Sequence, residues 1–180
     1  MTKEKYLKQF IRTIPNFPKE GIMFRDITPT LEDKDAFQVV IDELAKLTKG
    51  YEFNKIICAD ARGFLFGSAL AYKLKKGVIT ARKPGKLPLP GHRCSYSLEY
   101  GENTFEISKD ALNKDDKVLV IDDLLATGGS ASAMIKLVKM SEATPVLSIF
   151  YIELPDLKGR EEIKKVSDIP VRSLISFEGD

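Results

Sequence analysis

The densest chemistry in the chain lies in residues 118–130, Val-Leu-Val-Ile-Asp-Asp-Leu-Leu-Ala-Thr-Gly-Gly-Ser. An apolar strand is expected to run into two acids, then into a tight turn with paired glycines, then into a helix. Such a turn leaves backbone N–H groups pointing outward beside a helix N-terminus, and the hydroxyls of Thr127 and Ser130 add donors, so the segment suits a phosphate. It is neither a Walker A loop nor the Gly-x-Gly-x-x-Gly dinucleotide fingerprint. Asp122 and Asp123 would repel a bare phosphate, so they require neutral hydroxyls, a metal, or both between them and the charge. A phosphorylated sugar meets that demand, with its 5-phosphate on the turn and its hydroxyls on the carboxylates. Read alone, the same residues also fit a solvated strand end followed by a helix cap.

Four cations, Arg62, Arg82, Lys83 and Lys86, fall in loops that follow apolar runs. Each taken singly fits a solvated basic loop as well as an anion contact. His92 is the only histidine and is expected on an exposed loop; its isolation excludes a Ser-His-Asp triad and every multi-histidine zinc site.

These groups need a frame. Apolar runs at 55–59, 77–81, 117–121 and 146–152 read as strands, separated by helical stretches such as 67–75 and 131–140. That alternation predicts an α/β protein with a largely parallel central sheet flanked by helices. Leu7, Phe10, Ile11 and Ile14 recur at helical spacing up to Pro15, and Phe37, Val40, Ile41, Leu44 and Leu47 do so up to Gly50. Two amphipathic helices are therefore expected around a loop at 16–32. Residues 83–91 break the rhythm with three prolines and two glycines, after which 96–100 and 104–107 look like an extended pair around Gly101. A long loop and a β-ribbon are expected at one end of the sheet, and loops of that length in compact domains tend to carry function.

Composition bounds the rest. With 180 residues, 43% hydrophobic and 30% charged, the chain reads as one globular domain over residues 1–180, able to bury roughly 70% of the surface of its unfolded form. Only Cys58 and Cys94 are present, too few for a disulfide framework, so a reducing, cytoplasmic setting is expected. No signal-peptide-like run is seen at the N-terminus, and no apolar run approaches the roughly 20 residues of a membrane helix. The 28 basic and 26 acidic residues nearly balance, which argues against nucleic acid as a partner and leaves small anions open.

Residues 118–130 resemble the phosphoribosyl-pyrophosphate (PRPP) signature of type I phosphoribosyltransferases. Further stretches are together similar to the adenine phosphoribosyltransferase family: 17–27 (Phe-Pro-Lys-Glu-Gly-Ile-Met-Phe-Arg-Asp-Ile), 60–67 (Asp-Ala-Arg-Gly-Phe-Leu-Phe-Gly), 81–88 (Ala-Arg-Lys-Pro-Gly-Lys-Leu-Pro), 95–101 (Ser-Tyr-Ser-Leu-Glu-Tyr-Gly) and 157–160 (Leu-Lys-Gly-Arg). They span most of the chain in the family's order. The resemblance weakens at residues 89–94, and Ser130 stands where a threonine is also seen.

What the resemblance implies is the type I phosphoribosyltransferase fold. It places an N-terminal helix and base-binding hood in 1–34 and a flexible catalytic loop and ribbon in 82–107. It implies the reaction of adenine with PRPP to give AMP and pyrophosphate, with Mg2+ held mainly through PRPP and water, and a homodimer. Ala126, Thr127, Gly128, Gly129 and Ser130 would then hold the 5-phosphate, Asp122 and Asp123 the ribose, and Arg62, Arg82, Lys83 and Lys86 the pyrophosphate. Glu99 would be the catalytic carboxylate that takes or gives a purine proton. Met23, Phe24, Arg25 and Leu124 would bind adenine, the side chains of Met23, Phe24 and Leu124 as faces and the backbone of residues 23–25 as reader of its edge, although Met23 and Phe24 also fit a plain core. Two alternatives remain beside this reading: transfer to hypoxanthine, guanine or xanthine, and a PRPP-sensing regulator that has lost turnover.

Overall fold

Four apolar runs and one further strand lie edge to edge in the computed structural model, which describes residues 2–98 and 101–178. They are β3 (Lys55–Ala59), β4 (Gly77–Ala81), β7 (Lys117–Leu125), β8 (Thr144–Glu153) and β9 (Val171–Ser176), all parallel, in the order β4-β3-β7-β8-β9. Helices cover both faces, so the middle strands have no wet side and read as unbroken apolar sequence rather than as alternation. On one face, α3 (Lys34–Leu47) and α4 (Arg62–Leu74) pack Val40, Leu44, Phe66 and Leu70 against Ile56, Leu119, Ile121 and Tyr151. On the other, α5 (Gly129–Met140) and α6 (Gly159–Lys164) bring Met134, Ile135, Val138 and Ile163 onto Ile57, Val118, Val120 and Phe150.

The chain moves from β3 to β4 on one side and then crosses to β7 on the other side of β3. The carboxyl ends of β3 and β7 therefore flank a topological switch point, the place where open parallel sheets take up ligands. Three of the segments singled out for chemistry follow the carboxyl ends of the sheet's strands: 60–62 after β3, 82–83 after β4 and 126–130 after β7. The inserted ribbon, β5 (Pro90–Leu98) with β6 (Gly101–Ser108), is antiparallel and tied to the residue after β4 by a bridge between Arg82 and Glu106.

Several boundaries differ from the sequence expectation, each for a physical reason. The first helix, α1 (Lys3–Lys8), does not reach Pro15; residues Arg12–Pro15 form β1, paired antiparallel with β2 (Met23–Asp26). Ile14 precedes a proline, which disfavours the helical region, and strand pairing supplies the backbone partners that a helix ending there would lack. The expected loop at 16–32 thus holds β2 and a short helix, α2 (Thr28–Glu32). The strand expected to end at Ile121 continues to Leu125, because pairing with β8 persists past the acids. Asp122 and Asp123 are consequently strand residues, not a solvated end. His92 is exposed but lies in β5 rather than in a loop.

Close approach of α4 to the sheet depends on two glycines. A Cβ at Gly67 would lie 2.6 Å from Cys58 Cβ, and one at Gly63 would lie 2.7 Å from Asp122 Oδ1. Gly67→Ala should therefore force α4 outward and lower stability by about 1–3 kcal/mol, the range usual for overpacking. Urea unfolding measures it; an unchanged midpoint would show that the helix is not seated by this contact.

Candidate functional site

β7 carries its acids into the switch point almost wholly out of water, with Asp122 8% and Asp123 5% exposed. Leu119 and Ile121 pack with one core and Val118 and Val120 with the other, yet Leu124 joins the first and Leu125 the second. The strand's alternation slips by one across the two acids. Asp122 Oδ1 accepts the Asp123 N–H at 2.9 Å, while Asp123 Oδ2 meets Arg62 Nε at 2.9 Å. The two carboxylates are thereby unequal. Burial, and then the charge of Asp123, push the Asp122 carboxyl well above the usual carboxylate range.

Immediately downstream the chain turns through Ala126, Thr127 and Gly128 into α5. Gly128 sits at φ +84°, a backbone state that disfavours any side chain, and as the N-cap residue it offers no side chain to the first N–H groups of the helix. Those donors, with the half-buried hydroxyls of Thr127 and Ser130, form an anion-ready end beside the acids.

A cavity of about 290 Å³ is lined by Asp60, Arg62, Lys83, Asp122, Asp123 and Ser130. Tyr96 from the ribbon also lines it and separates it from a second cavity of about 430 Å³ walled by Thr127, Gly129, Ser132 and Lys136. Burial pushes the Tyr96 hydroxyl up against the lowering influence of the Ser130 and Asn103 side chains, and its ring lies 5.0 Å from that of Phe105. Ser97 carbonyl oxygen lies 2.8 Å from the point a Gly129 Cβ would occupy, so the ribbon rests directly on the turn.

The basic residues divide. Arg62 pairs with Asp123 and sets its guanidinium 5.4 Å from the Phe24 ring centroid, which joins the hood to the acids. Arg82 Nε donates to Asp60 Oδ2 at 3.0 Å, and the Lys83 backbone N–H reaches the same oxygen at 3.3 Å. Lys86 is exposed and lines neither cavity. Phe24 packs edge-on against Phe17, with ring centroids 5.0 Å apart. Met23 is exposed, whereas Arg25 is buried, donates to Thr13 Oγ1 and lies 4.3 Å from the Phe177 ring. Leu124 is half-buried. Glu99 lies outside the described residues. Two groups that sequence reasoning left without a role are Asp60 and Tyr96, although both fall in stretches it singled out.

Comparison with known proteins bears on this arrangement. The family profile of the phosphoribosyl transferase domain matches residues 30–177. An adenine phosphoribosyltransferase of Colwellia psychrerythraea is 49% identical over 179 residues, covering 99% of this chain and 98% of the relative. The chain belongs to the adenine phosphoribosyltransferase family. A crystal structure of the family from Thermoanaerobacter pseudethanolicus superposes with a TM-score of 0.92 at 46% identity, over 98% of this chain and 100% of the other. That from Saccharomyces cerevisiae, complexed with an imino-altritol bisphosphate and adenine, gives 0.85 at 38% identity, over 94% and 96%. The α/β architecture, its parallel sheet and its flanking helices are those of the family.

The raised Asp122 carboxyl has a measurable consequence. Its folded-state pKa lies above its unfolded one, so the native chain binds more protons and loses stability as pH rises from the unfolded value, near 3.9, through the folded one. Asp122→Asn, whose amide oxygen can still accept the Asp123 N–H, should be more stable than the wild type above that window and equal to it below. Thermal unfolding of both proteins across pH 3 to 9 tests this; a difference independent of pH would contradict the assignment.

Proposed function

We propose that the chain transfers the 5-phosphoribosyl group of PRPP to adenine, giving AMP and pyrophosphate, through the cavity at the carboxyl ends of β3 and β7. The observation that carries the reading is one juxtaposition. A buried acidic pair stands directly ahead of an uncapped helix N-terminus and is linked through Arg62 to an aromatic hood.

The chemistry sets the roles. As pyrophosphate leaves the anomeric carbon, positive charge grows on the ribose and negative charge on the leaving group, and both reactants must be held in line. The N–H groups and hydroxyls of residues 126–130 bind the 5-phosphate. Asp122 and Asp123 accept hydrogen bonds from ribose hydroxyls beside the developing cation. Arg62, Arg82, Lys83 and Lys86 face the pyrophosphate, Lys86 being brought in by movement of its exposed loop. Phe24 and Leu124 cover the faces of the base, while the backbone of residues 23–25 reads its edge by pairing a carbonyl with N6 and an N–H with N1. Glu99 receives the purine proton as N9 bonds to ribose.

Among the described residues no group of three ligating side chains forms a metal cage. The hard carboxylate oxygens of Asp60, Asp122 and Asp123 around one cavity nevertheless fit Mg2+ held through water and substrate oxygens. Bound there, Mg2+ would neutralise charge on the pyrophosphate. A homodimer would find apolar surface in the exposed Leu65 and Tyr72 of α4 and in the exposed Val78 of the edge strand β4. Cys58 and Cys94 are both free thiols, in keeping with a cytoplasmic setting, and no described helix is long and apolar enough to cross a membrane.

An assay of product formation from PRPP, Mg2+ and a purine panel tests the reading. Adenine should be preferred over hypoxanthine by about 10⁴, because a 6-oxo group sets acceptor against acceptor; comparable turnover of hypoxanthine would move the chain to another purine. Glu99→Gln keeps size and hydrogen bonding but cannot take up a proton, and should slow single-turnover AMP formation by about 10² to 10⁴. A wild-type rate in that measurement would remove Glu99 from the chemical step.

A further inference from the structure

Residues 157–160 line neither cavity around the acids, yet they stand directly behind the phosphate turn. β8 ends at Glu153, opposite Leu125, the last residue of β7, and the Leu154 N–H donates to the Leu125 carbonyl at 2.9 Å. The Glu153 carboxylate accepts from Arg160 Nε at 2.6 Å, from Arg160 Nη2 at 2.7 Å and from Ser173 Oγ at 2.6 Å. Arg160 Nη1 donates in turn to the Val171 carbonyl at 2.7 Å. The bidentate ion pair and its flanking hydrogen bonds thus fasten the start of α6 to the end of β8 and to the first half of β9. Two glycines let the clamp and the turn meet backbone to backbone. A Cβ at Gly128 would lie 2.5 Å from the Gly159 carbonyl oxygen, and a Cβ at Gly159 would overlap the Ala126 carbonyl oxygen.

We infer that Glu153 and Arg160 are positioning residues for PRPP: by fixing Gly159 against the back of residues 126–128 they hold the turn's N–H groups in the geometry that receives the 5-phosphate. The inference rests on the phosphoribosyl-transfer reading and assigns a task to the Leu-Lys-Gly-Arg stretch that the reaction itself leaves idle. Bidentate geometry matters because a planar fork fixes direction as well as distance, which a single lysine contact does not. Hydrogen bonding from Arg160 holds the Glu153 carboxyl below its usual range against the opposing effect of burial, so the clamp stays charged at neutral pH. The hood that reads the base is carried by β1 and β2 and reaches the end of β8 through Arg25, 4.3 Å from the ring of Phe177, whose N–H donates to the Glu153 carbonyl; that backbone bond does not involve the Glu153 carboxylate that Arg160 holds.

The test compares wild type, Arg160→Ala, Arg160→Lys and Gly159→Ala, with KM for PRPP and for adenine measured separately and thermal midpoints recorded. Arg160→Ala should raise the PRPP constant about 10- to 100-fold, the scale of a sub-ångström to ångström misplacement, while the adenine constant stays within about twofold. Arg160→Lys should recover part of that loss. Gly159→Ala leaves the ion pair intact but pushes on the turn, and should reproduce the PRPP-selective effect. Should Arg160→Ala fail to fold, the other two variants carry the same criteria. Parallel rises in both constants, or a wild-type PRPP constant in variants with lowered midpoints, would reduce the clamp to fold stability and overturn the inference. Absence of AMP from the wild-type protein would overturn the underlying reading as well, and is told apart by appearing before any variant is made.

Discussion

Asp122 and Asp123 leave the core side by side on one strand, and removing two carboxylates from water carries a penalty of several kcal/mol per charge unless each is compensated. The structure compensates them differently. Asp123 receives the guanidinium of Arg62, whereas Asp122 accepts the N–H of its neighbour, meets that neighbour's carboxylate and is driven toward its protonated form. A site left in this state gains from any ligand that brings donors or positive character to the acids. Ribose hydroxyls and an anomeric centre losing its leaving group bring both.

Small residues allow the compensation to be local. Gly63 lets the N-terminus of α4 press against Asp122, which places Arg62 within reach of Asp123 and under the ring of Phe24. Gly128, Gly129 and Gly159 let the turn, the ribbon and α6 meet backbone to backbone, so the N–H groups that open α5 are held from behind and covered from in front. Strand order supplies the rest, since only a crossing from β4 over β3 to β7 opens the edge of the sheet where these loops converge.

The central strands and residues 118–130 were legible in the sequence because strands buried on both faces leave continuous apolar runs, and because paired acids ahead of Thr-Gly-Gly-Ser have few compatible environments. The hairpin of the hood was not, since Leu7 to Ile14 match a helical period and only Pro15 speaks against it. The edge strand β9, with Arg172 and Ser173 interrupting its apolar residues, carries too weak a pattern to stand out. Asp60 and Tyr96 acquire their meaning only from partners distant in sequence: Arg82 is 22 residues from Asp60, and Ser130 lies on another element from Tyr96. Pairings of that kind are invisible to any periodicity.

The claim on which the rest turns is that one pocket holds the sugar by its acids and the phosphate by the following turn. A crystal structure of the chain with AMP bound measures this directly. The account predicts ribose hydroxyls within hydrogen-bond distance of Asp122 and Asp123, and the 5-phosphate on the N–H groups of residues 127–130. A phosphate seated instead against Arg82 and Lys83, with the acids facing only water, would contradict it.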